Sequence, residues 1–205
     1  MAKKLESTLR NMALSLFIIC GTMSAALGYV YSLTKGPIEN AEKQKVNNAI
    51  KLVVPEFDND PGSEAYKVDD LDFFPAKKNG QLVAVAIKTY SDNGFSGHIS
   101  VMVGIKPDGS ICGTSVMQQK ETPGLGTKMK EPKFRDQFNG KNPDHFKIKV
   151  KKDGGDVDAI TAATISSRAF CDAVNRAYEA FKKSPQAGIS STQNNSTAQT
   201  EGGAK

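Results

Sequence analysis

The pattern of apolar and polar positions divides the chain into segments of different character. From Asn11 to Thr34 no position is charged, a run of 24 residues. At about 1.5 Å per helical residue this covers roughly 36 Å, enough to cross a hydrocarbon core of about 30 Å. From Pro37 to Val54, Ile38, Ala41, Val46, Ala49, Ile50 and Val53 recur on one side, which predicts a second helix with Pro37 near its start and Pro55 at its end. Beyond it the period changes. Val83, Val85 and Ile87 alternate with Ala84, Ala86 and Lys88, the period of a strand, and Asn79-Gly80 predicts a hairpin joining Phe73–Ala76 to Leu82–Thr89. A second hairpin is expected from Ile99–Ile105 through Pro107-Asp108-Gly109 into Ile111–Met117. Phe146 to Val150 alternates again and is expected to be a strand. Ala162 to Lys183 is the clearest helix, with Ser166, Phe170, Ala173, Val174, Ala177 and Phe181 in a stripe at three- and four-residue spacing. Helix, antiparallel strands, helix is the order of an α+β domain.

The uncharged run admits three readings. As an uncleaved anchor it spans residues 11–34. As a signal peptide it would be cut after Ser24-Ala25-Ala26, but Leu27, Tyr29, Val30, Tyr31 and Leu33 carry the apolar stretch past that point. As a lipoprotein signal it would be cut at Cys20, where Ile19 replaces the small residue expected. The anchor reading is the one adopted. Gly21, Ala25 and Gly28, about one turn apart, suit close approach by another membrane helix, although small residues are common in any span. Lys3, Lys4 and Arg10 precede the run, offset only by Glu6. The positive-inside tendency therefore puts residues 1–10 in the cytoplasm and residues 35–183 on the far side of the membrane.

Composition narrows the function classes. A mean hydropathy of -0.39 is too low for several spans. The formal charge is +5, of which +2 lies in residues 1–10, leaving +3 for residues 35–183 beside a neutral tail. A nucleic-acid footprint needs more, and more clustered, base. The tail, residues 184–205, is rich in Ser, Thr, Gln, Asn and Gly, and is expected to be disordered. Three Cys and two His, with no Cys-x-x-Cys pair, give neither a zinc nor an iron–sulfur constellation. Cys112 and Cys171 could pair in an oxidising compartment or stay free. His98 and His145 have no ligand-spaced partners.

Two loops carry the candidate chemistry. In Glu121-Thr122-Pro123-Gly124-Leu125-Gly126 the glycines permit close approach to the backbone. Gly124-x-Gly126 matches neither a dinucleotide fingerprint nor a phosphate loop, so a surface turn and a ligand loop both remain open. Asp158-Ala159-Ile160-Thr161-Ala162-Ala163-Thr164-Ile165-Ser166-Ser167 leads into the last helix, with Thr161 the expected N-cap and Thr164 in the first turn. Free amides and the positive dipole end favour an anion there, and small Ala residues leave it room. An ordinary capped helix start explains the same residues. Asp158 could hold a divalent cation or cap the turn.

In this order and about forty residues apart, the two loops resemble the FMN-binding domain family. Asp158, Thr161, Ala162, Ala163 and Thr164 are similar to its flavinylation signature, with Ala162 where the family usually has Gly. The Glu121–Gly126 loop is similar to that of the G subunits of Rnf electron transport complexes and of the C subunits of sodium-pumping NADH:quinone reductases. The compact length favours the former and leaves the latter as the alternative. The resemblance implies FMN joined to Thr164 by a phosphodiester. A separate flavin transferase, itself using FAD and magnesium, would make that bond. It also implies that Asp158, Thr161, Ala162, Ala163 and Glu121 to Gly126 serve the cofactor, and that the chain binds no metal and has no catalytic residue. The chain would carry electrons between redox centres of a membrane complex coupling ferredoxin and NAD to Na+ or H+ movement, with the other subunits as partners. A membrane-anchored assembly module without cofactor is the rival from another class; colour separates the two.

Overall fold

The computed structural model describes residues 8–185; the basic flank at Lys3 and Lys4 and the tail expected to be disordered lie outside the described residues. The chain forms two compact units that divide after Gln44.

The two helices expected from the sequence are one, whose last residues, from Lys45, belong to the second unit. Helix α1 runs Leu9–Val53 with Pro37 inside it. Pro37 has no N–H to give to the carbonyl four residues back, so one bond of the ladder is lost. The remaining ladder carries the helix on, and Pro37 does not mark a helix start. An 18-residue window of α1 has a mean hydropathy of 1.8 and buries nothing against protein. Leu14, Phe17, Ile18, Met23 and Tyr29 are all exposed, as a span facing lipid requires.

The second unit is built on an antiparallel meander of five strands in the order of the chain. These are β1 (Tyr66–Val68), β2 (Leu71–Lys78), β3 (Gln81–Gly94), β4 (Gly97–Ile105) and β5 (Ile111–Gln118). Asn79 and Gly80 turn β2 into β3 with φ of 53° and 77°, the paired left-handed geometry that matches strand twist. Strand β1 was not expected. Asp69 and Asp70 turn it into β2 with φ of 47° and 64°, which Asp tolerates through its short polar side chain.

Both faces of the sheet are buried, and residue alternation divides the core. Phe73, Val85, Ile87, Val101, Val103 and Ile105 face helix α3 (Thr164–Lys183). Phe74, Ala76, Ala84, Ala86 and Met102 face Ala49, Ile50 and Val53 at the end of α1. A Cβ on Gly104 would lie 2.1 Å from the carbonyl oxygen of Val53. Only glycine lets the helix end sit that close to β4.

The last helix is held to the sheet by more than its apolar stripe. Thr89 Oγ1 donates to the carbonyl of Ala173 at 2.9 Å, and Ser91 Oγ donates to Asp172 Oδ2 at 2.6 Å. Between β5 and α3 the chain packs as short helical turns, among them α2 (Pro132–Arg135). Phe134 and Phe138 meet Phe170 of α3 at ring separations of 5.2 and 5.1 Å. This aromatic trio fixes the segment after the glycine loop to the helix that begins at Thr164.

One expected strand is absent. Phe146 to Val150 is irregular backbone that follows a turn, with a single bridge from Val150 to Val157. Its alternation reflects side chains entering the core, since Ile148 and Val150 are buried and Phe146 packs against them. Its backbone is satisfied locally, with Lys147 N–H donating to Asp156 Oδ2 and Lys151 N–H to the carbonyl of Val157.

Candidate functional site

The final helix begins two residues later than the sequence predicts. Thr161 is exposed and caps nothing. Ala162 has a φ of 61°, Ala163 is the N-cap residue without a side-chain cap bond, and Thr164 is the first helical residue. The left-handed Ala162 reverses the chain, so a helix from Ala162 is impossible. Ser167 does the work that was expected of Thr161. Its buried Oγ accepts from Ile160 N–H at 2.9 Å and donates to the Ala163 carbonyl at 3.0 Å. The loop is thereby stitched from within the helix. The amides of Thr164, Ile165 and Ser166 precede the first intrahelical acceptor, and the Thr164 hydroxyl makes no hydrogen bond among the described residues. A free hydroxyl thus stands beside three unpaired amides at the positive end of a 20-residue helix.

Ala162 also explains the glycine usual at that place in the resembling family. An L-residue there costs about 1–2 kcal/mol, partly offset by the smaller unfolded-state entropy of Ala. Ala162→Gly is therefore expected to raise stability by about 0.5 kcal/mol, whereas Gly for Ala normally weakens a protein. Denaturant unfolding checks this; a lower midpoint for the variant contradicts it.

The two candidate loops meet. Thr164, Ala162 and Ala163 line a cleft of about 330 Å³ together with Glu121, Thr122, Leu125 and Gly126. Pro123 and Gly124 are not in its lining; Gly124, with φ of 76°, shapes the turn and donates its N–H to Thr127 Oγ1. The joint between the loops is Glu121, which is only 5% exposed. Its Oε2 accepts from Ser166 Oγ at 2.6 Å, across 45 positions of sequence, and its Oε1 accepts from Ser96 N–H at 3.0 Å. Gly126 and Gly94 make room for it. A Cβ at Gly126 would lie 2.6 Å from Ser166 Oγ, and one at Gly94 would lie 2.7 Å from Glu121 Oε1.

Phe95, which sequence reasoning missed, completes the cleft together with Ile165 and Ser166 at the end of the second loop. Phe95 sits in the turn between Gly94 and Gly97 that joins β3 to β4, and is 68% exposed; Leu125 is 39% and Ile165 46% exposed. Three open apolar side chains around one polar-based cleft are what a flat, partly apolar ligand requires. The signal for Phe95 was Gly-x-x-Gly around an aromatic, a hairpin tip holding a side chain with no core to enter.

Asp158 and Thr161 lie elsewhere. They line a neighbouring cavity of about 450 Å³ with Lys128, Glu131, Lys133 and Gln137. Asp158 is held at both backbone ends by Gln137, at 2.7 and 3.2 Å, and its carboxylate pairs with Lys151 at 2.8 Å.

The cysteines are free. Cys171 is a buried residue of α3 itself, whereas Cys112 packs with the α1 side of the sheet. Burial pushes their thiols up to about 12 and about 11, so neither is a ready nucleophile. His98 is exposed, with Nδ1 2.7 Å from Asp92 Oδ1 and its ring stacked on Tyr90.

The pattern of the FMN-binding domain family matches residues 94–179, from the Phe95 hairpin through the glycine loop and Thr164. Fold, site and match together define the class of an FMN-binding domain. The G subunit of the ion-translocating oxidoreductase complex of Shewanella piezotolerans is 32% identical over 198 residues, covering 88% of this chain and 92% of that one. The G subunit of the Na(+)-translocating ferredoxin:NAD(+) oxidoreductase complex of Acetobacterium woodii is 31% identical over 189 residues, 84% and 91% of the two chains. Among solved structures, the C subunit of the Na(+)-translocating NADH-quinone reductase of Parabacteroides distasonis gives a TM-score of 0.48 at 19% identity, covering 77% of this chain and 94% of that one. The chain belongs to the family of G subunits of ion-translocating oxidoreductase complexes.

Proposed function

We propose that the chain is an FMN-bearing electron carrier in a membrane complex that couples ferredoxin and NAD oxidoreduction to Na+ or H+ translocation, the other subunits of that complex being its partners. The observation that carries this reading is the closure of both motif loops on one cleft with the Thr164 hydroxyl at its helix-terminal edge. The cleft fits the group. Its polar edge offers a hydroxyl and three unpaired amides to a phosphate, and Phe95, Leu125 and Ile165 offer an apolar frame to a flat ring. When bound, the flavin supplies reversible electron uptake and release. The residues of the chain hold and orient it, and no residue of the chain makes or breaks a substrate bond.

The attachment is covalent, at Thr164. The Thr164 oxygen bonds the flavin-side phosphorus of flavin adenine dinucleotide. Its proton passes to a base on the flavin transferase, the bond to the adenylate breaks, and AMP leaves. The remaining phosphodiester charge lies at the start of α3, where the dipole and the amides offset it. Covalent linkage suits a carrier outside the cytoplasm, where a dissociated cofactor is lost. Coexpression with the transferase, followed by acid denaturation and electrophoresis, is expected to leave flavin fluorescence on the protein band. Mass spectrometry is expected to find FMN, less one water, on the peptide holding Thr164. A colourless protein, or a flavin set free by acid, contradicts the reading.

The apolar length of α1 and the relatives' membrane complexes support membrane association. In this reading the residues before Asn11 stay in the cytoplasm and the FMN domain stands outside it. Protease added to intact spheroplasts is expected to remove the domain; its survival there reverses the orientation.

A further inference from the structure

The hairpin that carries Phe95 is not regular. Ser91 pairs with Ile99 and Gly94 with Gly97, so Asp92 and Asn93 of β3 stand against His98 alone of β4. This is a β-bulge, and the added residue decides which face the tip beyond it presents. The ladder is broken at a bulge, and here side chains take its place. Across the hairpin, His98 Nδ1 lies 2.7 Å from Asp92 Oδ1. Two further contacts end on one atom of the last helix. Ser91 Oγ donates to Asp172 Oδ2 at 2.6 Å, and Asn93 Nδ2 donates to the same oxygen at 3.2 Å. Ser91 is buried, and its Oγ also accepts from Asn93 N–H at 3.3 Å. We propose that Asp172 is a positioning residue for the flavin: it pins the bulge of β3 to α3 and so fixes where the hairpin tip holds Phe95 at the flavin cleft. This rests on the FMN reading above.

Asp172 is exposed, yet it forms no ion pair among the described residues. Its carboxylate is committed to the strand and not to a neighbouring charge. Its place on the helix matters as much. Asp172 lies eight positions after Thr164, about 12 Å along α3. The acceptor hydroxyl and the anchor of the hairpin therefore belong to one rigid element. The tip is tied on both flanks of Phe95, before it by Asn93 to Asp172 and after it by Ser96 N–H to Glu121 Oε1. Phe95 itself is 68% exposed and enters no core, so its place is set by the backbone that carries it, and both ties are needed. Moving Phe95 changes the apolar surroundings of a bound flavin ring, and with them its absorption and potential.

The test uses the full-length chain in detergent, first free of flavin and then loaded at Thr164 by the flavin transferase. In the unloaded chain, Asp172→Ala removes a charged acceptor, and hydrogen exchange of the Ser96 amide is expected to quicken about tenfold. In the loaded chain the same variant is expected to shift the flavin absorption band and midpoint potential. Asp172→Asn can put its carbonyl oxygen where Oδ2 stands, keeping both contacts and losing only the charge. It is expected to match wild type in all three readings. Thr89→Val removes the bond from β3 to the Ala173 carbonyl, outside the bulge. It is expected to lower the denaturant midpoint and leave exchange, band and potential as in wild type. In a Phe95→Ala background, Asp172→Ala is expected to add no further shift, because its effect passes through that side chain. Should Asp172→Ala fail to fold, Ser91→Ala with Asn93→Ala empties the same clamp from the strand side and carries the same expectations.

A wild-type band and potential in loaded Asp172→Ala protein overturn the proposal. An equal shift in Asp172→Asn overturns it too, because it reports the charge and not the contacts. So does an equal shift in Thr89→Val, which reports general loosening, and so does an additive shift in the Phe95→Ala background, which places the effect elsewhere. Each of these results leaves FMN at Thr164 standing. Absence of FMN from wild-type Thr164 removes that reading and the proposal with it, while the exchange of the Ser96 amide still reports whether Asp172 holds the tip.

Discussion

Thr164→Ala is expected to give a folded chain without covalent flavin. The side chain sits at the first position of α3 and is half-buried, and its hydroxyl holds nothing in the structure. Ala is the best helix former, and the N-terminal stitch of the helix is made by Ser167, not by Thr164. The exchange therefore changes stability by no more than about 0.5 kcal/mol. What it removes is the hydroxyl proposed to bond the flavin phosphorus at this edge of the cleft. Covalent incorporation is expected to fall to the detection limit. Thr164→Ser keeps the oxygen and loses a methyl group, so it is expected to load more slowly, not to fail. Intact-protein mass and far-ultraviolet circular dichroism check the pair. FMN mass on the Ala variant moves the acceptor elsewhere, and unfolding of the Ala variant makes Thr164 structural.

What could be read from the sequence follows how local its cause is. Asn79-Gly80 announced its turn because both residues tolerate left-handed φ; Asp69-Asp70 makes the same turn with a pair that only tertiary context selects, and strand β1 went unseen with it. Phe146 to Val150 alternated as a strand does, yet period-2 burial also arises when a looped segment drops every second side chain into a core. The helix start was displaced because N-cap preference is a local prior. The actual cap is set by a left-handed Ala162 and by a serine reaching back from inside the helix. At the site, residue types and order were legible in both loops. Their meeting was not. It depends on Glu121 and Ser166, 45 positions apart, and on an aromatic trio that brings the intervening segment under α3. Neither has a sequence period. The division of the acceptor segment between two clefts was equally hidden, since Asp158 and Thr164 belong to one continuous motif.

Glu121→Leu is expected to weaken the fold and the flavin site together. The carboxylate lies between two glycines whose missing Cβ atoms leave its oxygens room, Gly94 beside Oε1 and Gly126 beside Oε2. Its two hydrogen bonds tie the β3–β4 hairpin tip, through Ser96, to the first turn of α3, through Ser166. An apolar side chain of similar size takes the space and neither bond. Ser96 is exposed, so its amide can turn to water at little cost. Ser166 is buried, and its hydroxyl is left facing a methyl group. A lost hydrogen bond to a charged group, together with a buried unsatisfied hydroxyl, amounts to about 2–4 kcal/mol. Glu121→Gln keeps an acceptor for Ser96 and turns the second contact into an amide donor that Ser166 Oγ can accept, so its loss is expected to be about 1 kcal/mol or less. Function follows the same order. With the brace gone, the tip carrying Phe95 is no longer fixed over the cleft, while Thr164 and the amides beside it are unchanged. Loaded Glu121→Leu protein is therefore expected to keep its covalent FMN but show a shifted flavin absorption band and midpoint potential. Glu121→Gln is expected to stay near wild type in both. Denaturant midpoints, visible spectra and potentiometric titration of the loaded variants check this. A Leu variant with wild-type stability and spectrum removes Glu121 from the brace.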